Sequence, residues 1–268
     1  MKIRNIIIPS LIALLAASCS PIDKNDYLIY VEPELVSRAV LIEDFTGQKC
    51  VNCPEAVDVI EQLVKDYGEE NIVAVGIHSM PLGFAGTATN IGLMNDESKA
   101  YGEYCKVEEQ PCGLINHVGG LQDRDMWPTL VSEAIKKQVP VSIEVNAQAK
   151  NSTDIDITTI CTPSNATAID AKLQLWLIED SIKAMQSMPD GTVNREYIHN
   201  HVFRSSINGM GGEAVKISGV ELKKNHTFTL SSNWVPKNCS VVAFLYNDNE
   251  GVIQVTKAKV KTEAKAND

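Results

Sequence analysis

The stretch Arg38 to Glu55, reading RAVLIEDFTGQKCVNCPE, restricts the fold more than any other part of the chain. Its apolar run Ala39-Val40-Leu41-Ile42 is rich in β-branched residues and suits a strand buried on both faces. The loop Phe45-Thr46-Gly47-Gln48-Lys49 ends that strand. Cys50-Val51-Asn52-Cys53 follows, and Pro54 opens a helical pattern in which Val57, Ile60, Leu63, Val64 and Tyr67 share one face. Two cysteines are thereby set between a buried strand and a helix N-terminus. The free N–H groups and positive dipole end of that first turn favour an anion. A thiolate placed there ionises from about 8.5 down towards 7 or lower. The second sulfur, three positions on, can reach the first and resolve a mixed disulfide. In this context the pair reads as a thiol–disulfide site with the sulfur of Cys50 uncovered and easily ionised. Two other readings stay open, half of a zinc site and a structural disulfide. The zinc reading needs two more ligands, and Cys105 and Cys112 offer no second tight pair.

The N-terminus is a targeting segment rather than fold. Lys2 and Arg4 give a charged start, Ile6 to Ala17 an apolar core, and Ala16-Ala17-Ser18-Cys19 a small-residue cleavage site. Residues 1–18 are read as a signal peptide, and Cys19 as an acylated mature N-terminus on a tether to residue 37. Ordinary cleavage that leaves Cys19 a thiol is the alternative. Two acyl chains would hold a soluble body on a membrane. At 268 residues the chain has room for two domains. Its formal net charge of −10 argues against a nucleic-acid partner. Export leaves six further cysteines in an oxidising compartment, where an even number favours disulfides. Sequence alone does not choose among the pairings. Domain assignment suggests Cys50–Cys53, Cys105–Cys112 and Cys161–Cys239.

A second apolar run, Asn71 to His78, predicts a second buried strand, so a parallel βαβ core is expected. Residues 79–95 lack a clear period and form a long loop at the end of that strand, where open α/β sheets carry their sites. Asp96 to Cys105 and Met126 to Lys137 read as helices, with Pro111 before a short strand between them. After Pro140 the pattern changes to alternating strands. These are expected at Val141–Ala149, Asp154–Thr158, Lys172–Ile178, His201–Ser206, Glu213–Ile217, His226–Leu230, Val241–Asn247 and Val252–Lys259. Eight short strands with turn residues between them read as an antiparallel, immunoglobulin-like sandwich. His199 and His201 share a strand face, but no third ligand is in view and packing is expected of them. His78, at the end of a buried strand, and Gln110, beside Pro111, are candidate tuning residues.

Residues 38–138 resemble a thioredoxin-like domain. The resemblance rests on Cys50-Val51-Asn52-Cys53 at a strand–helix junction, Pro111 at the place of a cis-proline, and Asp44 on the incoming strand. It implies Cys50 as the attacking thiol, Cys53 as the resolving thiol and Asp44 as a proton acceptor for Cys53. Gln48-Lys49 and Val51-Asn52 depart from that family's usual residues. The whole exported chain is similar to a Bacteroidota lipoprotein family named after an outer membrane protein of about twenty-eight kilodaltons. The residues that carry this are Glu43-Asp44-Phe45-Thr46-Gly47, Cys50 to Pro54, Pro111 with Gly113 and Asn116, His199 to Arg204, and Val241 to Phe244. The expectation is therefore an α/β thioredoxin-like domain over 38–139 and an all-β sandwich over 140–268, anchored at the outer membrane on its periplasmic or surface face. The expected activity is thiol–disulfide exchange with protein thiols or disulfides or a redox partner, without cofactor or metal. The rival is a surface binding or adhesion lipoprotein with a structural Cys50–Cys53 bond.

Overall fold

Val40 to Thr46 forms the predicted buried strand, with all seven residues buried. In the computed structural model residues 36–262 are described; the signal segment, Cys19 and the tether up to residue 35 lie outside them. In chain order the first elements are β1 (Val36–Ser37), β2 (Val40–Thr46), α1 (Cys53–Tyr67), β3 (Ile72–His78), α2 (Asp96–Tyr104), β4 (Cys112–Ile115), β5 (Val118–Gln122) and α3 (Trp127–Ala134). Then come β6 (Gln138–Val139), β7 (Val141–Ala149), β8 (Asp154–Pro163), β9 (Ile169–Glu179), β10 (Ile182–Ser187) and β11 (Val193–His199). The chain ends with β12 (Val202–Ser206), β13 (Glu213–Ile217), β14 (Leu222–Thr229), β15 (Cys239–Asn247) and β16 (Gly251–Lys261). Among the described residues no helix is long and apolar enough to cross a membrane.

The local chemistry follows the sequence. β2 alternates its side chains between two cores. Val40 and Ile42 meet α1 and α3 through Ala56, Ile60, Leu63, Trp127 and Val131. Leu41 and Phe45 face Trp176, Phe203 and Phe244 on the other side. Asn95 starts α2 with a reciprocal cap: its Oδ1 accepts from Ser98 N at 2.8 Å, and Ser98 Oγ accepts from Asn95 N at 2.9 Å.

The expected fold class is corrected here. The chain does not form a thioredoxin-like α/β domain followed by a separate sandwich. It is mostly β, and its strands join in one mixed sheet of 12, in the order β14-β8-β7-β16-β15-β9-β12-β3-β2-β4-β5, with β13 paired to β9. β12 makes the join. Val202 pairs in parallel with Gly76 of β3 and antiparallel with Glu179 of β9. Gly76 N donates to His201 O at 2.8 Å, which satisfies a donor on what would otherwise be an open sheet edge. The apolar core is continuous across that join, running from Leu41, Val73 and Ile77 to Trp176, Phe203 and Phe244. β10 and β11 pair only with each other, as a hairpin outside the main sheet. The strand expected at His201–Ser206 is present as β12, whereas no strand is expected from the sequence at β10 or β11.

Candidate functional site

Cys50 and Cys53 form a disulfide where α1 begins. The loop before it is packed tightly. A Cβ on Gly47 would lie 2.4 Å from the carbonyl carbon of Leu82, so only glycine fits. That closeness lets Lys49 N donate to Leu82 O at 3.0 Å, while Cys50 N donates to Gly47 O at 3.0 Å. Pro54 stands in the first turn, and Asn52 supplies no side-chain cap. The positive end of the helix is therefore left to the disulfide. Arg124 pairs with Glu55 and donates through Nη1 to Asn52 O at 3.2 Å, which ties the turn to the segment before α3.

The Gln110–Pro111 peptide is cis, and Gln110 O lies 3.5 Å from Cys50 Sγ. The Gln110 side chain braces the site. Its Nε2 donates to Thr46 O at 2.8 Å and Ser79 O at 3.1 Å, and its Oε1 accepts from Leu82 N at 2.9 Å. The ends of β2 and β3 are so joined to the 79–95 loop.

Asp44, His78 and Cys53 line one narrow cavity, together with Tyr197 and His199 of β11 and with His201. Asp44 is 1% exposed and its Oδ1 has no hydrogen-bond partner. Burial raises its carboxyl to about 7. His78 Nδ1 and His199 Nε2 are likewise without partners. Burial, and then the charges of His199 and Arg204, push His78 well below its ordinary value. Burial brings His199 and His201 down to about 4. The imidazoles are neutral at pH 7, and the His78 and His199 rings meet edge-on at 5.4 Å. Among the described residues no three His, Cys, Asp or Glu side chains are grouped to hold a metal ion.

Two expectations are corrected. The sulfur of Cys50 is not uncovered: Cys50 is 1% and Cys53 2% exposed, whereas Val51 between them is 42% exposed. The cover comes from the β10–β11 hairpin and the 79–95 loop. Gln186 Nε2 donates to Cys50 O at 2.7 Å, and Ser187 N donates to Gln48 O at 2.9 Å. Gln48, fully buried, donates through Nε2 to Met185 O at 3.0 Å and Ile91 O at 3.1 Å, and accepts from Leu93 N at 2.8 Å. The sequence marks Gln48 only as a departure from the thioredoxin-like pattern and does not mark Gln186 at all. The alternation of Ile182, Ala184 and Gln186 was the only local signal. The second correction concerns Cys105, Cys112, Cys161 and Cys239, which are free thiols rather than two disulfides. Cys161 and Cys239 pack inside the apolar core as small apolar side chains. Burial pushes all four thiols up to about 12, so they stay neutral.

If the hairpin is the barrier to the disulfide, Gln186→Ala should speed its reduction by dithiothreitol about fivefold, the worth of roughly 1 kcal/mol of hydrogen bonding in the local opening. Alkylation of the released thiols against time measures this. An unchanged rate would place the barrier elsewhere.

The family described as outer membrane protein Omp28 matches residues 98–264. That match begins in α2 and leaves out the disulfide. Among solved structures, HBP35 of Porphyromonas gingivalis is similar over 87% of this chain and 78% of its own, with 15% identity and a TM-score of 0.67. At that identity the likeness shows the fold alone. A domain of the outer membrane lipoprotein Omp28 from Porphyromonas gingivalis is 21% identical, covering 47% of this chain and 92% of its own, with a TM-score of 0.37. No curated protein matches the chain.

Proposed function

The chain belongs to the Omp28 family of outer membrane proteins, and from that premise we propose that this outer-membrane lipoprotein exchanges disulfides with protein thiols through Cys50 and Cys53. Cys19, outside the described residues, is proposed as the acylated anchor. The observation that carries the redox reading is the disulfide at an uncapped helix N-terminus, flanked by the Gln110–Pro111 peptide and sharing a cavity with Asp44. In the reduced state the Cys50 thiolate attacks one sulfur of a substrate disulfide. A mixed disulfide forms and one substrate thiolate leaves, to be protonated by solvent. Cys53 then gives its proton to the ionised Asp44 and attacks Cys50, which releases the second substrate sulfur as a thiolate. Two electrons pass to the substrate, and the Cys50–Cys53 bond is restored. The thiolate step is favoured by the helix end. The neutral histidines near Asp44 add no positive charge that would hold it ionised below its raised value.

Burial of both sulfurs favours a second reading, a structural disulfide in a binding lipoprotein. The reduction potential separates the two. A working pair is expected between about −270 and −120 mV, and a structural bond below about −300 mV. The proposal further expects insulin reduction, with dithiothreitol as donor, to lose its protein-catalysed part in Cys50→Ser. A potential in the working range with no difference between Cys50→Ser and the parent would remove the proposal.

A further inference from the structure

The cavity beside Cys53 has a volume of about 20 Å³. One water needs roughly 10 to 15 Å³ and two to four polar partners. The walls supply three. Asp44 Oδ1, His78 Nδ1 and His199 Nε2 each lack a hydrogen-bond partner, on side chains of residues 1%, 3% and 5% exposed. Buried polar atoms are normally bonded, so three orphans around one small space point to a shared partner. The space itself comes from Gly76, which lies opposite Asp44 in the parallel register of β2 and β3 and has no side chain to fill it.

The His199 ring is held in place by its surroundings. It meets His78 edge-on at 5.4 Å and Tyr197 edge-on at 4.8 Å. The backbone carbonyls of Met185 and Ala184 accept from the ring. That places its N–H against the hairpin backbone, so Nε2 meets the cavity with a lone pair. A water at this point donates one hydrogen to Nε2 and keeps the other for an ionised Asp44. When Asp44 is protonated, its O–H donates to the water oxygen instead. Neutral His78 is the third partner.

We propose that His199 is a positioning residue for Asp44: it holds one water between its Nε2, Asp44 Oδ1 and His78 Nδ1, and Asp44 bonds to that water in both protonation states. The consequence for turnover rests on the reading of Asp44 as acceptor of the Cys53 proton. As the Cys53 S–H bond breaks and an O–H bond forms on Asp44, the carboxyl turns from acceptor to donor and the water turns with it. The titratable groups around Asp44 are His78 on β3, Tyr197 and His199 on β11, His201, Cys112 on β4 and, once reduced, Cys53 on α1. Arg204 acts on both His78 and His199, and Asp58 and Glu61 of α1 act on Tyr197. Burial keeps the histidines neutral at pH 7, which leaves Asp44 as the group of the oxidised cavity that titrates there.

Infrared pH titration of the oxidised protein tests the proposal, with the Asp44 carboxyl band assigned by its loss in Asp44→Asn. The protonated band is expected at the frequency of an acid hydrogen-bonded to water. The frequency of an unbonded acid would overturn the proposal, however the variants fold. His199→Phe keeps a ring and removes the acceptor, so the Asp44 midpoint should rise by at least about one pH unit, a tenfold change in proton affinity. His199→Gln returns a polar atom to the place of Nε2 and should stay within about 0.3 pH unit of the parent. A parent-like midpoint in His199→Phe would overturn the proposal. Equal shifts in both variants would do so too, by assigning the effect to the lost bonds with Met185 and Ala184. The pH profile for release of a mixed disulfide at Cys50 should rise with the midpoint in His199→Phe alone, and a midpoint that moves without the profile would overturn the positioning role. The titration needs no turnover. If Cys50→Ser leaves insulin reduction unchanged, the exchange reading falls, and the water still stands or falls by its band and midpoint.

Discussion

Asp44→Asn is expected to stabilise the oxidised chain by about 4 kcal/mol near pH 8, and to change it by no more than about 0.5 kcal/mol near pH 4. The side chain is buried, its Oδ1 has no partner, and burial lifts its carboxyl from 3.8 to about 7. In the unfolded chain the same group ionises near 3.8. Between those two values the unfolded state sheds its proton while the folded state keeps it. The unfolded state then binds fewer protons, so stability falls as pH rises through this window and levels off above about 7. A carboxamide has no proton to shed and escapes the fall. At low pH the two side chains are both neutral and close in shape, so that measurement is the control for packing. Urea unfolding at the two pH values reads the effect, which corresponds to roughly 10 °C in Tm for a chain of this size. A substitution effect equal at both pH values would mean that Asp44 is ionised in the fold. It would also make Asp44 a much weaker base for the Cys53 proton than its raised value of about 7 provides. The same variant should slow release of the mixed disulfide, because Cys53 would have lost its acceptor.

Local chemistry was legible wherever the determinants lie within one or two turns of chain. The alternation in VSIEVNAQA gave β7 with its inward Val141, Ile143 and Ala147. The placement of Cys50, Cys53 and Pro111 around one point was also readable, because a strand, a loop and a helix in sequence fix two of them and a proline before a strand fixes the third. What failed was the partition into layers. Leu175-Trp176-Leu177-Ile178 and Val241-Val242-Ala243-Phe244 are continuous apolar runs, the mark of strands covered on both faces. A sandwich strand would have put every second residue in water. In β9 the odd residues Leu173, Leu175 and Leu177 face one core, and the even residues Trp176 and Ile178 face the other. Those runs were evidence within the sequence against a separate sandwich.

The cover over the disulfide was illegible for a different reason. Gln186 reaches Cys50 across 136 positions of chain, and nothing in the local pattern of either residue encodes the meeting. The polar stretch Asn194-Arg195-Glu196 also hid β11, whose outer face is open to water. Sequence reasoning therefore located the sulfurs and the helix that polarises them, and it missed what stands in front of them.

Trp176→Ala is expected to cost about 4 kcal/mol, and to cost it for the whole described fold rather than for half of it. The indole is 1% exposed and packs edge-on to Tyr101, Phe203 and Phe244, which come from α2, β12 and β15. Its removal leaves a large cavity in the core shared by β2 and β3 with β9, β12 and β15. It also takes the Nε1 donor from the Tyr101 hydroxyl, which keeps its bond to Met210 O. Trp127 is the natural reporter of the far side, since it is fully buried in the separate cluster of Ile42, Ile60 and Val131. In a Trp234→Phe background, urea unfolding followed by Trp127 fluorescence and by circular dichroism of the strands should shift together. The join at Val202 explains why: β3 and β9 cannot lose each other while β12 stays paired to both. Were Trp127 to keep its original midpoint while the strand signal moved, the sheet would be two cooperative units laid edge to edge. The continuity of the core would then carry no energy. A single displaced transition follows if the residues on both sides of β12 gain their stability from the same buried rings.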